Sequence, residues 1–393
     1  LDNYIARMTQ SCGLVLFWKA MNFKTWYWIH KWTSLISTVF ILMLCLTGLP
    51  LIFAHEIDHW LGHSVEPPVL DNPPAETASI ESILVDAKQR RPQDVVQFLV
   101  ADYHDPELLF VRMGESVAAN DLTAFFTYDA RTGEFLSSYP LGQGFMDVML
   151  RLHVDMYAGL WGTLFLGFMG LLLMFSIISG IVLYSPYMQK LAFGTVRRDR
   201  TSRLKWLDLH NLLGIITVVW LMVVGATGVI NTLSIPIFGQ WQTTELAQLI
   251  DSYEGNKQVN QSVSIDKIVN TARETMPDKA LSFLAFPGNN FSTQKHYMAF
   301  MQGKTPLSAQ IIDIVMIDAE TGKVATTKDV PWYITVLLMS QPLHFGDYGG
   351  LGLKIVWALL DVITIIVLWS GLVLWWRRRQ TKLTKLQEGE YAK

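Results

Sequence analysis

At 393 residues the chain has room for two or three domains, yet 51% of it is hydrophobic and much of that is gathered into a few long runs. A net charge of −3 points to no nucleic-acid partner and otherwise says little about partners. The two cysteines, Cys12 and Cys45, leave the regions between the runs without a disulfide, so those regions must fold on their own cores.

In chain order, residues 1–27 read as an interfacial segment, with the apolar stretch Leu14 to Trp18 and then Phe23, Trp26 and Tyr27 at headgroup level, or else as an extension of the first helix. Residues 28–52 are the first span, followed by an outward-facing region 53–152. The second span covers 153–184, a basic loop 185–208, the third span 209–233, a second outward region 234–343, the fourth span 344–376 and a basic tail 377–393. Each span supplies the ~20 apolar residues needed to cross a bilayer core of about 30 Å. Lys19, Lys24 and Lys31, then Lys190, Arg197, Arg198, Arg200, Arg203 and Lys205, then Arg377, Arg378, Arg379, Lys382 and Lys385 fall on one side, which predicts cytoplasmic termini. The first run is too long for the core of a cleavable signal peptide, so none is expected.

Each outward region reads as a small α+β module. In the first, Ser79 caps a helix carrying Ile80, Ile83, Leu84 and Ala87, and strands follow at Val95–Val100, Leu108–Arg112, Thr123–Tyr128 and Glu134–Ser138. In the second, Ser264 to Ala272 is the helix, and Leu281–Phe286, Tyr297–Met301 and Ile311–Ile317 are strands. Asp129 to Gly133 and Asp318 to Gly322 share the pattern Asp-x-x-Thr-Gly, a hairpin signal whose glycine supplies a positive φ. The fold class expected is therefore membrane α+β: a four-helix bundle built from two tandem repeats, with two α+β modules.

The repeat is explicit. Trp26, His30, Ile36, Val39, Thr47 and Gly48 recur 180 positions later as Trp206, His210, Ile216, Val219, Thr227 and Gly228. Leu152, His153, Tyr157, Gly159, Ser179 and Gly180 recur 191 positions later as Leu343, His344, Tyr348, Gly350, Ser370 and Gly371. A single histidine at a span end is often an interfacial anchor, but repetition about a pseudo-twofold axis sets His30 opposite His210 near the inner face and His153 opposite His344 near the outer face. Two facing imidazoles in an apolar bundle suit the axial positions of a b-type haem, and no Cys-x-x-Cys-His motif for covalent haem is present. Zinc would lack half of its tetrahedral ligands. The repeated glycines either admit the macrocycle or serve ordinary close packing.

Three further groups are candidates. His55, His59 and His63 stand at helical spacing after the first span, as a metal site or as one face of an amphipathic helix. Asp361, inside the fourth span, is expected to relay a proton, hold a propionate or bond a neighbouring helix. Asp155 and Asp347 either orient the outer imidazoles or are loop acids. No nucleotide-binding glycine motif, Walker motif or zincin motif occurs, so no flavin or nicotinamide site is evident.

The order and duplication of Trp206–His210 with Thr227-Gly228, of Trp26, His30 and Thr47-Gly48, of the Leu-His elements at 152 and 343, and of the Asp-x-x-Thr-Gly hairpins resemble the PepSY-associated transmembrane proteins over nearly the whole chain. Within them they resemble the ferrisiderophore reductases of the FoxB type. The resemblance implies a bacterial inner-membrane protein with two periplasmic PepSY-like modules and two b haems, ligated through His30, His210, His153 and His344. Its substrate is a ferric siderophore, which releases iron once reduced to the ferrous ion, and its donor is a cytoplasmic reductase or a quinol. Two other readings stay open: membrane-anchored modules that bind a peptide, a protease or a metal complex without redox activity, and an accessory or transporter of siderophore uptake.

Overall fold

The computed structural model describes residues 22–62, 64–72, 74, 77–101, 105–138, 144–188, 192–197, 200–253, 262–305 and 308–387. The apolar stretch Leu14 to Trp18 and His63 lie outside the described residues. In order, the elements are α1 (Phe23–Ile52), α2 (Ala54–Trp60), α3 (Ile80–Arg90), β1 (Val95–Ala101), β2 (Leu108–Gly114), β3 (Ala124–Asp129), β4 (Phe135–Ser138), α4 (Phe145–Val154), α5 (Gly159–Met188), α6 (Ser202–Thr232), α7 (Ser234–Trp241), α8 (Ala247–Tyr253), α9 (Ile265–Thr275), β5 (Lys279–Ala285), β6 (His296–Gly303), β7 (Ile312–Asp318), β8 (Val324–Asp329), α10 (Trp332–Phe345) and α11 (Gly350–Gln387). They form two compact units, a helical one (1–52, 149–232 and 343–393) and a sheet one (53–148 and 233–342).

In the helical unit, α1, α5, α6 and α11 are long and apolar enough to cross a membrane. They pack in a closed ring, α1 on α5, α5 on α6, α6 on α11 and α11 on α1, so that α1 and α6 are diagonal partners. Phe23, Trp26 and Tyr27 belong to the first turns of α1, which favours the helix-extension reading of that stretch. The expected second and fourth spans are each interrupted. His153 ends α4 and His344 ends α10, and the bundle helices start only after turns at 155–158 and 346–349. Met156 and Tyr157 in the first of these turns have φ of 52° and 60°, and Gly346 in the second and Gly350 at the start of α11 have 73° and 64°. Turning the chain this way lets each histidine arrive from a short helix instead of from the span itself.

The sheet unit is one antiparallel sheet of eight strands in the order β4-β3-β2-β1-β5-β6-β7-β8. Where two separate modules were expected there is one sheet, in which two four-stranded meanders are joined where Phe98, Leu99 and Val100 pair with Ala285, Leu284 and Phe283. Pairing β1 with β5 removes the exposed edge that each meander would otherwise offer to another chain. Helices α3 and α9 cover one face, where Ile83, Ala87, Ile268 and Ala272 pack on Leu99, Val111 and Leu284. The other face of β5–β7 is closed by Trp241, Leu246 and Ile334 over Met298, Phe300 and Met316. Both Asp-x-x-Thr-Gly turns form as expected: Gly133 and Gly322 take φ of 74° and 69°, and their N–H groups donate to the carbonyls of Asp129 and Asp318.

The helix caps differ from expectation in an informative way. Ser264 accepts from Lys267 N–H as a cap should, but Ser79 makes no cap bond of its own and donates to Asp266 at 2.6 Å. Asp266 also accepts from the N–H groups of Ile80 and Glu81, while Glu81 accepts from Ile265 N–H at 3.0 Å. Each helix therefore caps the other with a carboxylate from its first turn, where the helix dipole favours negative charge. Asp266→Ala is expected to cost about 1–2 kcal/mol, the usual scale of a lost cap. Hydrogen exchange on the intact protein should show roughly tenfold lower protection at the start of α3.

Acid weakens this unit in two stages. Burial holds His296 below its ordinary 6.5, with Asp318 opposing and Lys295 assisting. Because the unfolded chain takes up that proton first, His296 contributes full stability above about pH 6.5 and less as pH falls. The bonds from Arg131 hold the Asp129 carboxyl below its usual 3.8, a contribution lost only at still lower pH. His296→Gln should flatten the thermal midpoint between pH 7 and 5 and leave the acid limb below pH 4.

Candidate histidine centres

Facing each other across the ring, α1 and α6 bring His30 and His210 together with ring centroids 6.2 Å apart and planes at 72°. At the other end of the helical unit, His153 and His344 meet at 6.2 Å with planes at 64°. The four sequence-predicted histidines are thus gathered in two layers, each with one residue from either half. The layers are about 27 Å apart, since eighteen positions separate His30 from the glycine at the His153 ring and a helix rises ~1.5 Å per residue.

All four rings are held in the same way. His30 Nδ1 lies 2.9 Å from the Ser176 carbonyl and 3.3 Å from Ser179 Oγ. For His210 the partners are the Val367 carbonyl at 3.1 Å and Ser370 Oγ at 2.8 Å. His344 has the Val224 carbonyl at 3.0 Å and Thr227 Oγ1 at 3.2 Å, and His153 has Thr47 Oγ1 at 3.0 Å with the Leu44 carbonyl. In every case the carbonyl comes three residues before the hydroxyl, and the next residue is glycine. An added Cβ would stand 3.0 Å from the ring carbon Cε1 at Gly48 and Gly228, 3.2 Å at Gly180 and 3.6 Å at Gly371. The repeated Thr-Gly and Ser-Gly pairs are therefore imidazole seats: the hydroxyl meets Nδ1 and the missing side chain leaves room for the ring.

This seat also fixes the tautomer. The hydroxyls of Thr47, Ser179, Thr227 and Ser370 spend their own protons on carbonyls of their own helices. Both neighbours of each Nδ1 are then acceptors, so Nδ1 carries the proton and Nε2 keeps its lone pair. An imidazole oriented by a bond at one nitrogen and bare at the other is the form that ligates a metal. Two metal–nitrogen bonds of about 2 Å, plus about 1 Å from each nitrogen to its ring centre, place two axial imidazoles about 6 Å apart, in agreement with both layers. Among the described residues no group of three His, Cys, Asp or Glu assembles around either pair. The donor set of each layer thus fits a group that brings its own equatorial ligands.

The other predicted residues are placed differently. Asp155 accepts from the N–H of Tyr157 in the turn after α4, and Asp347 accepts from Gly350 N–H through its main-chain carbonyl. Of the two readings of these acids, the loop-acid one agrees with these contacts, and the outer imidazoles are oriented by Thr47 and Thr227, helped by carbonyls. Thr at i+17 from His30 and His210, and Ser at i+26 from His153 and His344, carry that signal in the sequence, because each offset returns the hydroxyl to the far layer. His55 and His59 lie on α2, and His59 pairs with Glu66 at 2.8 Å. Asp361 is buried in α11 and contacts the Cys45 thiol of α1, a partner that no sequence signal marked.

Four bilayer-length helices enclosing two part-buried histidine pairs, one on the spans α1 and α6 and one on the short helices α4 and α10, define a multi-pass membrane protein built around a paired-imidazole bundle. The chain belongs to the PepSY-associated TM region family, whose pattern it matches over residues 27–378. It is also similar to the uncharacterized protein PA4219 of Pseudomonas aeruginosa, with 34% identity over 88 residues. That match covers 22% of this chain and 22% of the relative, so the chain aligns with about a fifth of that protein's length.

Proposed function

We propose that the protein is a bacterial inner-membrane electron-transfer protein with two b-type haems, one per histidine layer, that reduces ferric siderophores on the periplasmic side. The observation that carries this reading is the 6.2 Å spacing of both pairs together with four Nδ1-anchored rings. Bound there, a b-type haem supplies a one-electron couple at each layer.

His30 and His210 form the layer near the basic, cytoplasmic ends of the spans, and His153 and His344 the layer near the periplasm. The seats would hold each Nε2 lone pair toward a bound haem in one orientation, so that little of the protein would rearrange when an electron arrives. The apolar helices exclude water from the path. Electrons enter from a cytoplasmic reductase or a quinol, and one electron per ferric ion yields the ferrous ion, which siderophore oxygen donors hold less tightly. The sheet unit, on this orientation, is the pair of periplasmic PepSY-like modules that meets the ferric complex.

The test is direct. Purified full-length protein is expected to show two haems per chain and a reduced-minus-oxidised spectrum of low-spin b type. After reduction with dithionite and removal of excess reductant, a ferric hydroxamate siderophore should reoxidise it while ferrozine traps ferrous iron. Colourless protein that still binds the ferric complex through its sheet unit would mark a binding module without redox chemistry.

A further inference from the structure

The two halves of the helical unit differ at one interface. On α5 and α6, Gly170 and Gly225 face each other's helices, and added Cβ atoms would meet Val229 Cγ2 at 2.9 Å and Met174 Sδ at 3.1 Å. The same repeat positions on α11 and α1 are Asp361 and Cys45. The bundle therefore packs at this level without an acid, and a carboxyl at the centre of a span costs several kcal/mol wherever it is only structural.

Asp361 is 6% exposed, contacts the Cys45 thiol, and its Oδ2 meets no donor. One turn earlier on the same face of α11, Trp357 packs its ring on Trp220 of α6, and neither indole N–H meets an acceptor. Three buried polar atoms without partners, two on neighbouring turns of α11 and one on the α6 ring packed against them, call for an explanation, and two donors with one carboxylate oxygen are the groups that a held water would satisfy. The cluster lies between the layers. Asp361 is nine positions, about 14 Å of helix, from the Ser370 seat of His210, and the Trp357 ring lies against Gly346 and Tyr348 just beyond His344. Of the helices packed on α11, α1 presents Cys45, and α6 has no titratable side chain between Asn211 and Thr232; on α11 itself the nearest is Lys354.

We propose that Asp361 is a redox-linked proton site: it takes up one proton from water when the histidine layers receive an electron, and returns it when the electron passes to ferric iron. The inference rests on the proposed haem reading. One electron from the donor and one proton enter together, so the apolar interior gains no net charge. By linkage, an electron that raises the proton affinity of Asp361 is itself held more tightly when Asp361 is protonated.

Spectroelectrochemical titration of the holoprotein from pH 5.5 to 8.5 tests this. At least one haem midpoint potential is expected to fall as pH rises in the wild type, to lose that dependence in Asp361→Asn, and to regain it in Asp361→Glu. A reduced-minus-oxidised infrared difference spectrum of the wild type should show a protonated carboxylic acid band that Asp361→Asn lacks, which needs no assumption about how well the variant folds. Haem-loaded wild type with no such band, or Asp361→Asn with an unchanged pH slope, overturns the proposal. Wild type without haem overturns instead the reading on which it rests.

Discussion

In His210→Ala, the low-spin signature of one haem is expected to disappear while the other remains, and adding His30→Ala is expected to change nothing more. Adding His344→Ala to His210→Ala is expected to remove both. The contrast follows from the pairing across halves: His30 and His210 share one layer at 6.2 Å, and His153 and His344 share the other. Two residues that act as one unit are strongly non-additive, whereas residues in separate units add. If ligands were instead paired within a half, His30 with His153 and His210 with His344, the two double variants would exchange their outcomes. Haem quantified per chain, with the optical spectrum of each variant, reads the result. The distance between layers, about 27 Å along the helices, keeps the loss in one from disturbing the packing of the other.

Much of this arrangement can be read from the repeat. Offsets of 180 and 191 positions relate both histidine pairs, since residues that recur at one offset on two spans are expected to face each other across the bundle. The strands and the Asp-x-x-Thr-Gly turns follow from alternation and from glycines that need positive φ, and they recur within a residue or two of the expected bounds. The joining of two meanders into one sheet could not be read this way. Leu99 and Leu284 are buried whether β1 and β5 pair with each other or lie under separate helices, so their apolar pattern is the same in both cases. The breaks before α5 and α11 do carry turn residues, Asp155 in the first and Gly346, Asp347 and Gly349 in the second, but these stand at the ends of long apolar runs, where hydropathy alone extends the span across them.

Residues that act through another residue were the hardest to see. Asp155 and Asp347 stand next to the histidines in sequence, but both lie in the turns beyond the short helices, and the Nδ1 partners come from the neighbouring helix. Ser176 and Val367 contribute only carbonyls, which any residue type supplies. Cys45 and Asp361 are likewise unremarkable alone; their contact depends on which of two flanking helices each one faces, and helical periodicity does not choose between them.

Gly48→Val and Gly228→Val are expected to abolish haem binding in the His153–His344 layer, whereas Gly371→Ala should leave both layers loaded and raise stability. In a helix interior, replacing glycine by alanine ordinarily gains about 1 kcal/mol through the backbone. At Gly371 the new Cβ would sit 3.6 Å from His210 Cε1, an ordinary contact, so that gain survives. At Gly48 and Gly228 the distance is 3.0 Å, and the ring has no free direction in which to yield, because two acceptors grip its Nδ1 from the same helix. A displacement of a few tenths of an ångström therefore moves Nε2 off the axis, and ligand geometry tolerates only about 0.5 Å. Valine adds two methyls to that clash, an overpacking cost of about 1–3 kcal/mol before the loss of the bound group is counted. Gly180→Ala, at 3.2 Å from His30, should fall between these cases, weakening the His30–His210 layer while sparing the other. Ranking the four substitutions by haem retained per chain thus orders them by the distance from each Cβ to its imidazole, and a ranking that followed helix propensity instead would show that the glycines seat something other than the imidazoles.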